Sequence, residues 1–231
     1  MINSLNIKSL AGKYGADLCG IASIDRFESA PSGFHPKDLF ESTKSVISIA
    51  CRVPESVLLA KNPIPYSVAE SIVLEKVKKI AFSMSLDLED KGVKAVMVPS
   101  VPYDYWDEEN MEGRGLLSLK HIGYYAGLGY IGKNSLLCNA EFGNLIKLGA
   151  ILTDVVLDPD AVYEGSLCSD SCDLCIKSCP VDAIANKCVS QKKCRPNSEI
   201  VNLRGVEVTV CYNCRSVCPN RAGIARLKNV N

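Results

Sequence analysis

The sequence predicts an α+β protein: a layered domain of strands and helices over residues 1–164, followed by a small cysteine-rich domain over residues 165–231. Three observations carry that expectation. β-branched runs alternate with amphipathic stretches through the first part of the chain, the pattern of a sheet and the helices that cover it. Nine of the twelve cysteines fall in the stretch from Cys168 to Cys218. Hydrophobic residues make up 47% of the 231, enough to bury a core in one sizeable domain with a smaller companion.

The elements follow in order. Residues 3–14 read as a first helix, with Leu5, Ile7, Leu10 and Ala11 on a mixed apolar face and Gly15 as its stop. A strand is expected at 16–24, a Pro-, Gly- and Ser-rich loop at 31–36, and a short helix just after it. The run KSVISIACRV at 44–53 is β-branched and bounded by Pro54, so it reads as a buried strand, with Cys51 as a small core residue. Residues 66–90 form the longest helical pattern: Val68, Ile72, Leu74, Val77, Ile80, Ala81, Met84 and Leu88 recur every three to four positions, with lysines and Glu75 between them. Gly92 ends it, and KAVMVPS at 94–100 supplies another strand.

The next stretch, VPYDYWDEENMEGRG at 101–115, carries two tyrosines, the only tryptophan and five acids. It reads as a solvated surface loop, with a lid over a site as the functional alternative. A helix is expected over 116–126, and strands at 135–138 and 144–156 complete the layered domain.

Charge and targeting signals exclude several function classes. Lys plus Arg and Asp plus Glu both total 26, so no basic excess points to nucleic acid. The N-terminal MINSLNIKSL lacks a basic run followed by an apolar one, and the apolar stretch at 145–157 is broken by Lys147 and Asp154. A cytoplasmic location without membrane insertion is the expectation, and there clustered cysteines bind metal or do redox chemistry more often than they form disulfides.

GLGYIGK at 127–133 satisfies G-x-G-x-x-G and nearly satisfies the phosphate-loop pattern. Its context argues against both, since it follows a helical stretch, leads into a strand, and has Asn134 where a phosphate loop needs Ser or Thr. The glycines are better suited to a turn, or to close approach of the backbone to a ligand or a neighbouring metal cluster.

The cysteines hold the sharpest signal. CDLCIKSCP at 172–180 and CYNCRSVCP at 211–219 share the spacing C-x2-C-x3-C-P. A cubane needs four thiolates, and the bacterial ferredoxin run C-x2-C-x2-C-x3-C-P sends its fourth cysteine to the other cluster. With that crossover, one [4Fe–4S] cluster takes Cys168, Cys172, Cys175 and Cys218, and the other takes Cys179, Cys194, Cys211 and Cys214. Cys188 is the spare, and spacing leaves its exchange with Cys194 open. Zinc sites also use C-x2-C pairs but have no need of the repeated Cys-Pro ending. The continuation after Cys179 suits a short helix with Pro180 at its first position.

AGLGYIGKNSLL at 126–137, LGAILTD at 148–154, KSVISIA at 44–50 and the two cysteine runs together resemble the epoxyqueuosine reductase and reductive dehalogenase superfamily. The resemblance implies a nitroreductase-like α/β domain that holds a corrinoid (cobalamin), joined to a ferredoxin-like domain with two [4Fe–4S] clusters. Electrons would pass from the outer cluster to the inner one and on to cobalt. It also implies that Gly127, Gly129, Gly132, Lys133 and Asn134 lie close to the cofactor, and that an electron-donor protein such as a ferredoxin or flavodoxin is a partner. Epoxyqueuosine reductases carry an Asp-Tyr-His element with a proton-donating Asp; the corresponding place reads Pro65-Tyr66-Ser67, so a substrate other than epoxyqueuosine is expected. His121, preceded by Ser118 and Lys120, and the tyrosines Tyr66 and Tyr105 are the candidate proton donors. The rival expectation is a corrinoid-free two-cluster carrier that docks a partner protein.

Overall fold

The computed structural model describes residues 2–101, 103–185 and 187–223. Helix α1 (Ser4–Lys13) opens on Asn3, whose side chain and that of Asn6 cap each other's backbone amides. Strand β1 (Leu18–Ser23), the short helix α2 (Pro36–Leu39) and strand β2 (Ser45–Arg52) follow, each within the stretch expected for it. Helix α3 (Ile64–Glu89) leads to β3 (Ala95–Val98). After it come β4 (Tyr105–Asp107), β5 (Glu112–Arg114), α4 (Leu119–Tyr125), β6 (Tyr130–Ile131), β7 (Leu137–Cys138) and β8 (Ile146–Thr153).

Four of these strands make one antiparallel sheet in the order β1-β2-β8-β3. Strands β2 and β3 run parallel with β8 between them, and α3 is the crossover that joins them. Because helices cover both faces, β2 is buried from Ser45 to Cys51, and alternate side chains go to opposite layers. Ile47, Ile49 and Cys51 pack with α1 and α3, together with Val77, Ile80 and Met84. Val46, Ala150 and Leu152 pack on the other side with Ile122 of α4, Phe27 and Leu117. Each fully buried aliphatic chain of this kind contributes about 1.5–3 kcal/mol of hydrophobic stabilisation. The layered α+β architecture expected of the first part of the chain is thus present.

Three expectations need correction. Val68 and Ile72 are exposed, at 51% and 63%, while Tyr66 and Val73 are buried in their place, so the buried stripe of α3 is rotated from the expected one. Within the stretch expected to be an irregular loop, residues 105–114 form an antiparallel hairpin of β4 and β5. No helix starts at Pro180. There the chain turns, with Asp182 at φ +47°, and the backbone amide of Ala183 donates to Cys179 Sγ at 3.2 Å. Turning the amide toward the sulfur is incompatible with the continuous helical ladder that proline at a first position would open.

The cysteine-rich segment holds α5 (Leu174–Lys177), β9 (Ile184–Ala185), β10 (Cys188–Val189), α6 (Gln191–Ser198), β11 (Glu199–Val201), β12 (Glu207–Thr209) and α7 (Asn213–Ser216). Strand β9 pairs with β10, and β11 with β12, as two small antiparallel ribbons. The two cysteine runs fold alike: α5 carries Cys175 and α7 carries Cys214, each a single helical turn preceded by one cysteine and followed by a Cys-Pro turn. No helix among the described residues is long and apolar enough to cross a membrane.

Candidate functional site

The structure gathers the cysteines of the two runs into two groups. Cys168, Cys218 and Cys172 all act electrostatically on Cys175, and Cys168 and Cys172 act on Cys218. Cys179 and Cys211 act on Cys194, and Cys194 and Cys211 act on Cys214. Each run contributes its last cysteine to the other run's group, because α5 and α7 lie side by side. The groups adjoin, since Cys175 also acts on Cys214.

Burial pushes all four of these thiols up, Cys214 to about 11, and the neighbouring sulfurs push further in the same direction. Such a set holds protons unless positive charge is supplied, and a metal centre supplies it. Among the described residues no three of His, Cys, Asp and Glu close around a single metal position.

Lys133 and Asn134 tie the glycine segment to these groups. The Lys133 ammonium donates to three carbonyl oxygens, those of Ser169, Asp170 and Cys172, at 3.1, 2.7 and 2.8 Å. All three of its donors are used, which holds the loop between Cys168 and Cys172 and places a cation beside it. Asn134, 5% exposed, donates to the Cys214 carbonyl at 3.1 Å and accepts from the Leu136 amide. Gly127 sits at φ +74°, and a Cβ there would overlap the Ala161 carbonyl oxygen; one at Gly129 would overlap that of Cys138. Gly132 faces Cys138 Sγ. The segment follows α4 and enters β6, so neither nucleotide-loop context is present.

A pocket of about 900 Å³ opens beside the first group. Its walls come from α4 (Lys120, His121, Tyr124), from β6 (Tyr130, Ile131), from Tyr163 and its neighbours, and from β10 (Cys188). Tyr130 lines this pocket and also the smaller one that holds Cys168, Cys172, Cys175 and Cys218. Sequence reasoning singled out neither Tyr130 nor Tyr163; the tyrosine inside the glycine segment was the available signal for the first.

The candidate proton donors separate. His121 is on the pocket wall, its Nδ1 2.6 Å from Ser118 Oγ, and burial with the adjacent Lys120 ammonium pushes its pKa below the ordinary value. Tyr66 is 2% exposed, its ring 4.2 Å from that of Tyr212 and tilted to it by 33°, and it lies within electrostatic reach of Cys214 and does not line the pocket. Tyr105 is 49% exposed on the β4–β5 hairpin, and no residue of that hairpin lines the pocket. The hairpin lies on α6, where the Arg195 guanidinium sits 4.7 Å from the Tyr103 ring and 5.1 Å from that of Trp106.

A layered α+β fold shares the Tyr130 wall with the group of Cys168, Cys172, Cys175 and Cys218, and the cysteine-rich segment fits the iron–sulfur binding of a redox protein. No family model matches the chain. The chain is similar to the epoxyqueuosine reductase of Leadbetterella byssophila, 26% identical over 94% of this chain and 79% of that one. It is also similar to the epoxyqueuosine reductase of Bacillus anthracis, 28% identical over 91% of this chain and 62% of that one.

Among solved structures, the epoxyqueuosine reductase of Streptococcus thermophilus superposes with a TM-score of 0.66 at 21% identity, over 96% of this chain and 66% of that one. A catabolic reductive dehalogenase superposes with a TM-score of 0.73 at 17% identity, over 94% of this chain and 31% of that one. These comparisons bear out the resemblance read from the sequence, and the relatives' names support an oxidoreductase. At such identities the structural likeness shows the fold.

Proposed function

We propose that this chain is an iron–sulfur reductase that passes single electrons through two [4Fe–4S] clusters to a corrinoid held in the large pocket. The observation that carries this reading is Tyr130, which forms a wall common to the pocket and to the group of Cys168, Cys172, Cys175 and Cys218. That group is the inner cluster site, and the group of Cys179, Cys194, Cys211 and Cys214 is the outer one. The layered part of the chain is then the nitroreductase-like domain, residues 1–164, and residues 165–231 are the ferredoxin-like domain.

The pocket's residues fit a corrinoid. Tyr124, Tyr130 and Tyr163 offer flat rings to a macrocycle, while Lys120, Ser135 and Ser166 offer polar partners to its amide arms. When bound, the corrinoid supplies a strongly reducing metal centre; the chain's own residues orient it, exclude water and supply protons. His121 is the candidate donor that faces the pocket, where burial and then the Lys120 ammonium disfavour its charged form. The likeness to a solved structure described as suggesting a mechanism for B12-dependent dehalogenation supports the cofactor, and the curated relatives support a reduction. The electron source is a one-electron donor protein of the ferredoxin or flavodoxin kind.

Anaerobic reconstitution with iron and sulfide, iron counting, electron paramagnetic resonance and a cobalamin titration test the proposal together. The expected result is about eight irons per chain, two interacting cluster signals on reduction, and stoichiometric cobalamin binding. About eight irons without cobalamin binding would leave a two-cluster carrier and sink the corrinoid part. Bound zinc in place of iron would sink all of it.

A further inference from the structure

We propose that a second cavity against α4 binds a small, neutral aromatic molecule through His121, and that it is the substrate site of the reductase proposed above, an assignment that rests on that reading. The cavity has a volume of about 320 Å³. Helix α4 parts it from the large pocket: Tyr124 lines the pocket, Tyr125 lines the cavity, and His121 lines both. Among the described residues no other is common to the two walls. A ligand in the cavity and a cofactor in the pocket therefore meet at one imidazole.

The walls are built in advance. Phe27, Leu117 and Ile122 belong to the buried layer that packs under α4, so this side of the cavity is rigid. Another side is the Pro-, Gly- and Ser-rich loop, which is folded on itself. The Ala30 amide donates to the Phe27 carbonyl at 2.8 Å, and the Phe34 amide to the Pro31 carbonyl at 3.0 Å. Its end is pinned at α2, where the Asp38 carboxylate accepts from the His35 amide at 2.9 Å.

The lining selects the ligand. No Asp, Glu, Lys or Arg among the described residues lines the cavity, so a charged group would enter without a counter-ion and lose its hydration. Phe27, Phe34 and Tyr125 line it, and Phe27 and Tyr125 meet edge to face with centroids 4.9 Å apart, a packing that a flat ring extends. A cavity of about 150 Å³ holds one benzene, so two fused rings fit here. Polar groups are few. Ser29 Oγ and Tyr125 Oη lie 3.5 Å apart, and Ser118 Oγ lies 2.6 Å from His121 Nδ1, which orients the ring and leaves Nε2 for a ligand. Apolar walls with a few convergent polar groups are the usual make-up of a small-molecule site.

Naphthol and naphthalenesulfonate, the same two rings without and with a fixed charge, are the probes. Each is titrated calorimetrically into the full chain at neutral pH, before and after reconstitution with iron, sulfide and cobalamin. Naphthol should bind saturably, naphthalenesulfonate about tenfold more weakly, and Ala30→Trp, which fills the cavity, should cost naphthol about tenfold in affinity. Ala30→Leu fills less and should weaken binding less, and thermal melts check that both variants fold. Nuclear magnetic resonance reads the site without a substitution: naphthol should shift the ring protons of His121 and leave those of His35, which does not line the cavity, in place. No saturable naphthol binding, equal affinity for the two probes, or an unshifted His121 would overturn the proposal. Cobalamin binding without naphthol binding would sink this inference and leave the function above standing. Naphthol binding without cobalamin binding would sink the corrinoid and uphold the ligand site.

Discussion

The side-chain amide of Gln191 pairs with the backbone of Gly113 in both directions: the Gly113 amide donates to Gln191 Oε1 at 2.9 Å, and Gln191 Nε2 donates to the Gly113 carbonyl at 3.1 Å. Gln191 also accepts from Arg195 Nε at 2.8 Å, which orients the guanidinium against both the Tyr103 and Trp106 rings. Helix α6, the carrier of Cys194, is therefore clamped to the β4–β5 hairpin by one amide and two cations, the second being Lys192, whose ammonium donates to Asn110 Oδ1 at 3.3 Å.

Removing Arg195 should loosen the hairpin. Arg195→Ala loses two ring contacts and the hydrogen bond to the Tyr103 hydroxyl, a cost of about 1–2 kcal/mol. Trp106 is the only tryptophan, so acrylamide quenching of its fluorescence reports the hairpin directly. Quenching should rise in Arg195→Ala; unchanged quenching would mean that Gln191 and Lys192 hold the hairpin without it.

The choice between Cys188 and Cys194 as ligand has a direct readout. Cys194→Ser should lower the iron content of the reconstituted chain from about eight toward about four, and Cys188→Ser should leave it unchanged. The reverse pattern would move the second group onto β10 and remove the thiol from the pocket.

Lys133 predicts a stability effect without any metal-binding contact. Lys133→Met keeps the apolar stem but leaves three carbonyl oxygens of the 169–172 loop without their donor. A loss on the order of 2 kcal/mol is expected in chemical denaturation, together with faster iron release from the inner site under a chelator. Equal chelation rates in variant and wild type would show that the loop is held by its other bonds.

His121 should titrate below its ordinary 6.5, because burial and then the Lys120 ammonium disfavour its charged form. The sign follows from the depressed value: the contribution to stability is present above about 6.5 and is lost as pH falls through the lower folded midpoint. Nuclear magnetic resonance of the ring protons reads that midpoint, with His35, the only other histidine, as the internal comparison. Lys120→Gln should raise it; a midpoint that stays in place would leave burial as the whole cause.

Much of the fold was legible because burial on both faces writes itself into composition. KSVISIACRV has no polar alternation because both sides of β2 meet helices, and the strand was read correctly for that reason. Helix α3 was legible in extent but not in rotation. Val68 and Val73 are equally apolar, and only the packing of the first turn of α3 against β12, where Ser67 Oγ accepts from the Thr209 amide, decides which is covered. The hairpin at 105–114 escaped notice because its strands are three residues each and its pairing is set by a helix more than seventy positions away.

Returning to the cysteines, the sequence by itself determined which local runs are built for ligation, since C-x2-C-x3-C-P is a geometry encoded within nine residues. It also determined the resemblance, through AGLGYIGKNSLL and its neighbours. The tertiary structure alone decided that Cys194 lies within electrostatic reach of Cys179, Cys211 and Cys214 while Cys188 lines the pocket, and that Lys133 and Asn134 hold the cysteine loops. It alone also turned Tyr66 inward and left Cys188 facing the pocket. The physical reason is range: turn geometry is fixed by neighbours along the chain, whereas the company a side chain keeps is fixed by how whole elements pack.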